Sequence, residues 1–120
     1  MEHIIMHEGD WRWGRQVTLI TEDAAGLVHL VLETDSPTVV YVRGLSVVAS
    51  RRREGIATML MTYAIAWSRL RGYERMELDA EPADYVLRMY GTLGFERTGG
   101  AHDDGTVPMS LKLQDYGPTH

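Results

Sequence analysis

Three consecutive arginines, Arg51, Arg52 and Arg53, stand directly before Glu54-Gly55-Ile56-Ala57. They fall between an apolar β-like run and an apolar helical pattern. The first amides of a helix have no internal carbonyl partner and share the positive end of its dipole, so a turn of this kind can bind an anion. A diphosphate fits such a turn. Gly55 lets a ligand approach without a Cβ in the way. A solvated charge run with an ordinary turn glycine accounts for the same residues, so the loop alone leaves both readings open. It is not a Walker loop, because the Gly-Lys-Ser/Thr ending is absent.

Other reactive groups are few. There is no cysteine, which removes disulfides, thiol nucleophiles and thiolate metal sites together. The histidines at 3, 7, 29, 102 and 120 show neither an i, i+4 pair nor an H-E-x-x-H frame, so they read as surface residues and no metal is expected. The formal charge of -5 argues against broad nucleic-acid binding, which needs a large positive surface. A small phosphate- or nucleic-acid-binding protein using Arg51 to Arg53 is therefore the weakest function class.

These groups must be positioned by the elements around them. A length of 120 residues, 44% hydrophobic and 24% charged, fits one soluble domain over 1–120. No run reaches the ~18 apolar residues of a membrane span, and Met1 to Asp10 lacks the basic start and apolar stretch of a signal peptide. A cytoplasmic protein is expected.

Runs 15–21, 27–33 and 38–48 read as strands, the third nearly continuous in apolar and β-branched residues and interrupted by Gly44, which marks a bulge or a close approach. The period then changes. Ile56, Met59, Leu60, Tyr63, Ala64, Trp67 and Leu70 recur at three and four, which predicts a helix over about 54–71 ending at Gly72. Residues 76–80 alternate as a strand, Val86, Met89, Tyr90 and Leu93 mark a second helix ending at Gly94, and 95–98 and 107–113 form two short strands around the Asp103-Asp104-Gly105 turn. The order is β-β-β-α-β-α-β-β, an α/β chain with a mixed sheet. Residues 1–14 read as an atypical leading segment and 117–120 as a loose tail.

In that setting Arg52-Arg53-Glu54-Gly55-Ile56-Ala57 resembles the Q/R-x-x-G-x-G/A acetyl-CoA signature of the GNAT N-acetyltransferases. Val47, five residues before Arg52, matches the family's strand valine, and Ala49 replaces a frequent proline. Downstream, Tyr90-Gly91-Thr92-Leu93-Gly94-Phe95 resembles the family's Y-x-x-x-G-F. The resemblance covers about residues 15 to 113. Ala83 and Val86 depart from frequent asparagine and alanine, and the strand and two helices that normally open the family are expected to be absent or reduced.

The resemblance implies an acetyl group moved from acetyl-CoA to a primary amine by direct attack in a ternary complex. Leu45 and Val47 would orient the pantetheine arm and thioester. The segment with Arg52, Arg53, Gly55, Ile56, Ala57 and Thr58 would hold the pyrophosphate, the cofactor lying in a V between splayed strands. A preorganised amide such as that of Val47 suits the tetrahedral oxyanion. Tyr90 is the implied partner of the departing thiolate. The general base is not singled out: the strand position used in one branch offers only Tyr41, which leaves Glu33, Asp79 and Glu81, with Glu81 the first choice. The alternative is a non-catalytic GNAT-like module that binds acyl-CoA or a protein. A homodimer is expected to complete a wall or cover a sheet edge, and Trp11, Arg12 and Trp13 read equally as part of that interface, as lining of the acceptor pocket or as ordinary packing.

Overall fold

The structure is a computed structural model and describes residues 3–114; the predicted loose tail at 117–120 lies outside them. Its elements are β1 Ile4–Trp11, β2 Gly14–Thr21, β3 Gly26–Glu33, β4 Val39–Val47, a 3-10 turn Ala49–Arg51, α1 Ile56–Leu70, β5 Arg75–Ala80, α2 Asp84–Thr92, β6 Glu96–Arg97 and β7 Val107–Lys112. They form one seven-stranded mixed sheet ordered β1-β2-β3-β4-β5-β7-β6. The predicted order is present with one strand added ahead of it.

That added strand lies within residues 1–14. β1 runs antiparallel to β2 from Ile4↔Thr21 to Trp11↔Gly14, so the two are joined by Arg12 and Trp13 alone. No helix separates this strand from the next. None of its eight residues is buried, so the apolar alternation that reveals a half-buried strand is missing.

Along β2 to β4 one side chain in two turns inward. Val17 and Leu19, Val28 and Leu30, Val40 and Val42 join Met76, Leu78, Met109 and Leu111 in one core with Ile56, Leu60, Met61 and Ala64 of α1 and with Tyr90 and Phe95. Burying aliphatic side chains of this size contributes about 1.5 to 3 kcal/mol each. Both helices therefore serve one face of the sheet. The alternate residues, among them Gln16, Thr18, His29, Tyr41, Arg43, Glu77 and Asp79, turn to the other face, which no helix of the described residues covers.

Three glycines set the geometry. Gly55, at φ 80°, cannot be helical, so α1 starts at Ile56 rather than at 54. Gly72, at φ 84°, lets the chain close α1 with Gly72 N–H donating to Arg69 O at 3.1 Å and Tyr73 N–H to Ser68 O at 3.1 Å, a Schellman ending. A Cβ on Gly26 would stand 2.8 Å from Ile56 Cγ2 and 3.1 Å from Leu60 Cδ1, so this glycine allows the first turn of α1 to sit on β3.

Candidate functional site

β4 and β5 are parallel from Val39↔Arg75 to Val42↔Leu78 and pair no further. β4 nevertheless continues to Val47, while β5 keeps pairing with β7 as far as Ala80↔Val107. The two strands thus part like a V with its vertex at Val42 and Leu78. A bulge at Arg43, where His29↔Gly44 steps to Leu30↔Val42, bends β4 at that vertex; Gly44 marked it in the sequence.

Past the vertex, Val48 N–H donates to Ala25 O of the β3 side at 2.8 Å. Hydrogen-bonding directions alternate along a strand, so Val47 and Leu45 turn their N–H and C=O groups the other way, into the V. The Arg52 side chain reaches back, its Nε donating to Val47 O at 3.3 Å.

The arginine run separates into three roles. Arg51 donates to Asp23 Oδ2 at 2.7 Å and to Glu54 Oε1 at 2.8 Å, tying the loop to the β2-β3 turn and holding the Asp23 carboxyl, aided by the Ala25 N–H and Thr21 hydroxyl, well below the usual carboxylate range. Arg52 caps the strand end. Arg53 is exposed, forms no ion pair among the described residues, and sits at φ 69°, a left-handed conformation that costs a non-glycine residue about 1 to 2 kcal/mol. Gly55 is left-handed as well. Ile56, Ala57 and Thr58 open α1 with no carbonyl four residues back in the helix, and no side chain caps that end,. A Cβ on Gly55 would meet nothing within 4 Å. Past the end of β4 the chain therefore leads into helix amides that have no side-chain cap among the described residues.

Tyr90 is buried in the core, set by the way α2 ends. Gly94, at φ 106°, allows Gly94 N–H to donate to Gly91 O and Phe95 N–H to Tyr90 O, both at 3.0 Å. The same Schellman geometry brings the residue after the glycine onto the last turn of the helix. Phe95 packs edge to face on Tyr90 at 5.5 Å between centroids. The Y-x-x-x-G-F pattern is thus a helix stop that fixes the tyrosine ring. Burial, then the negative charge of Glu81, pushes the Tyr90 phenol up to about 12; its oxygen makes no hydrogen bond among the described residues.

The acids named in the sequence fall in different places. Glu81 is exposed just past β5, within electrostatic reach of Tyr90. Glu33 lines a cavity of about 240 Å³ with Gly14, Trp67 and Tyr73 at the other end of the sheet from the arginine loop. Asp79 is the first β5 residue past the vertex and points to the open face. Its Oδ2 accepts from the Tyr41 hydroxyl at 2.6 Å, and its Oδ1 lies 2.8 Å from His102 Nε2. Burial, the bond to Asp79 and the charges of Asp79, Asp104 and Glu33 push the Tyr41 phenol up to about 12, so Tyr41 stays a donor. His102 was read as a surface histidine. Only the pairing of β5 with β7, which carries the β6-β7 loop over the end of β5, reveals it, and no local spacing encodes that. Trp11, left between two roles, lies under Arg43, whose guanidinium carbon is 5.0 Å from the ring centroid.

No group of three or more potential metal ligands occurs among the described residues. No helix among them is long and apolar enough to cross a membrane.

Comparison with known proteins agrees with this geometry. The family model described as acetyltransferase (GNAT) family matches residues 4–95. Comparison with curated protein sequences gives no match. Among solved structures, a Bacillus subtilis acetyltransferase in complex with CoA superposes with TM-score 0.73 and 18% identity, covering 93% of this chain and 100% of that one. The yncA protein of Salmonella typhimurium, solved with its cofactor acetyl-CoA, gives 0.74 and 18%, covering 88% and 69%. The ribosomal-protein-S18-alanine N-acetyltransferase of Escherichia coli gives 0.69 and 17%, covering 88% and 72%. The likeness to these structures is one of fold, and with the family match over 4–95 it establishes that the chain belongs to the GNAT acetyltransferase family.

Proposed function

We propose that the protein transfers the acetyl group of acetyl-CoA to a primary amine by direct attack in a ternary complex. The observation that carries this reading is the parting of β4 from β5 at Val42 and Leu78, with an uncapped helix start at its mouth. The pyrophosphate fits the amides around Arg53 and Gly55 and those of Ile56, Ala57 and Thr58, with the Arg52 and Arg53 charges beside it. The pantetheine arm then adds to the free edge of β4 at Leu45 and Val47, as an extra strand would.

This brings the thioester carbonyl to the Val47 N–H. Attack by the amine nitrogen converts that carbonyl to an oxyanion, and an amide already aimed at it needs no reorganisation; a donor of this kind is worth ~10²- to 10³-fold in rate. Collapse breaks the C–S bond and releases the thiolate, to which Tyr90 donates a hydrogen bond. Outright proton transfer from a phenol held at about 12 to a thiolate of pKa ~8.5 would run uphill by roughly 5 kcal/mol. The Tyr90 role is therefore stabilisation of sulfur charge.

A second reading is favoured by the two-residue join of β1 to β2, which leaves the open face without a helix among the described residues: a non-catalytic module that holds acyl-CoA. A second copy against the long exposed edge of β1 would supply a wall, and we include a homodimer and a cytoplasmic location in the proposal.

Thermal melting with acetyl-CoA and an amine screen separate the readings. A ligand at a hundredfold its Kd stabilises by about 2.7 kcal/mol. A rise in Tm with acetyl transfer supports the enzyme, a rise without transfer across amines, peptides and aminoglycosides supports the module, and no rise removes both.

A further inference from the structure

The proton that an acceptor ammonium must lose before it attacks has no assigned destination in the reading above. Glu81, the first choice from sequence, is exposed and within electrostatic reach of Tyr90. The open face of the sheet, just past the vertex, carries a different arrangement. Asp79 is clamped there by two partners on its two oxygens, the Tyr41 hydroxyl at 2.6 Å and His102 Nε2 at 2.8 Å.

In the tautomer that donates from His102 Nε2 to Asp79 Oδ1, the ring's other nitrogen, Nδ1, carries the lone pair. The loop that carries His102 is closed by bonds of its own. His102 N–H donates to Thr106 O and Gly105 N–H to His102 O, both at 2.8 Å, while Asp104 Oδ1 accepts from Thr106 N at 2.9 Å and from Thr106 Oγ1 at 2.7 Å. Gly105 closes this loop at φ 88°. A half-exposed imidazole on a knotted loop, oriented by a carboxylate that is itself oriented by a phenol, is more structure than a surface histidine needs.

We propose that His102 is the catalytic base of this transferase, with Asp79 and Tyr41 as its positioning residues. The inference rests on the acetyl-transfer reading and deepens it. His102 Nδ1 takes one proton from the acceptor ammonium and becomes imidazolium. The freed amine lone pair forms the C–N bond at the thioester carbon, the C–S bond breaks, the second nitrogen proton ends on the thiolate, and the imidazolium returns its proton to water. The groups facing the imidazole from the packed elements are Asp79 of β5, Tyr41 of β4 and Asp104 of its own loop, with Glu33 of β3 behind Tyr41. All carry negative charge or stay neutral, so the acceptor is a cationic amine.

The test compares wild type with His102→Gln, Asp79→Asn and Tyr41→Phe in the full chain, using spermidine and short lysine peptides as amine probes. The expected result is an unchanged acetyl-CoA-induced rise in Tm for all variants, a 10²- to 10⁴-fold loss of kcat near neutral pH for His102→Gln, and loss of the acid limb of the pH-rate profile. Asp79→Asn should move that limb as well, which a merely structural role would not do. Transfer by His102→Gln within twofold of wild type, with the same pH profile, overturns the assignment while leaving the transferase intact. Wild type that binds acetyl-CoA yet acetylates no probe overturns both.

Discussion

Val42 and Leu78 are the last pair at which β4 and β5 meet, and the groups assigned to the proposed site lie past that rung. On the core side and ahead of it stand the β4 edge, the arginine loop and Tyr90. On the open side stand Asp79 and His102.

Arg53→Glu combined with Gly55→Val should abolish the acetyl-CoA-induced rise in Tm. Gly55→Ala alone forces a side chain into the left-handed region and should cost about 1 to 2 kcal/mol of stability, read as a lowered Tm without ligand. A full cofactor shift in the double variant would remove the loop from the site.

Tyr90→Phe should keep the fold and the KM for acetyl-CoA, because the ring contact with Phe95 survives. One hydrogen bond to a charged sulfur is worth about 1.5 to 3 kcal/mol, so kcat should fall ~10- to 100-fold. Since the phenol is held up to about 12, it stays protonated through the working range and the wild-type profile should show no alkaline loss below pH 10. Unchanged kcat in Tyr90→Phe would leave the tyrosine a core residue only.

Gly26→Ala places a Cβ at 2.8 Å from Ile56 Cγ2. Overpacking of this kind costs about 1 to 3 kcal/mol, and here the strained element is the first turn of α1. Urea unfolding and acetyl-CoA titration should both register the change. A variant as stable as wild type would mean that α1 starts further from β3 than the contact implies.

Asp23→Asn tests the anchor of the arginine loop. The folded carboxyl is held below its ordinary value by Arg51, so it contributes stability above the unfolded pKa of ~3.9 that is lost as pH falls through the folded value. The variant should melt below wild type at pH 7, and the difference should shrink under acid. A difference independent of pH would assign the effect to packing.

Homodimerisation through β1 predicts a mass of two chains in light scattering, reduced by Ile5→Lys with Met6→Lys on the exposed edge. A strictly monomeric, active protein would sink it.

Much of this was legible in the residues because it is local. The 3.6 period of Ile56 to Leu70, Gly72 and Gly94 as helix stops, and the arginine loop before Gly55 are encoded within a few positions. β1 was not, since neither face of Ile4–Trp11 is buried and its pairing with β2 leaves no apolar alternation to read. His102 was not, because its partner Asp79 lies 23 residues away and meets it only through the β5-β7 pairing. The split of Arg51 from Arg52 and Arg53 depended likewise on the distant Asp23.

The most direct measurement is an amide chemical-shift titration of the isotopically labelled protein with acetyl-CoA. The largest changes should fall on Leu45, Val47, Arg53, Gly55 and Ala57. Changes confined to the far cavity around Glu33, Trp67 and Tyr73, or none at saturating cofactor, would contradict a cofactor held in the V between β4 and β5.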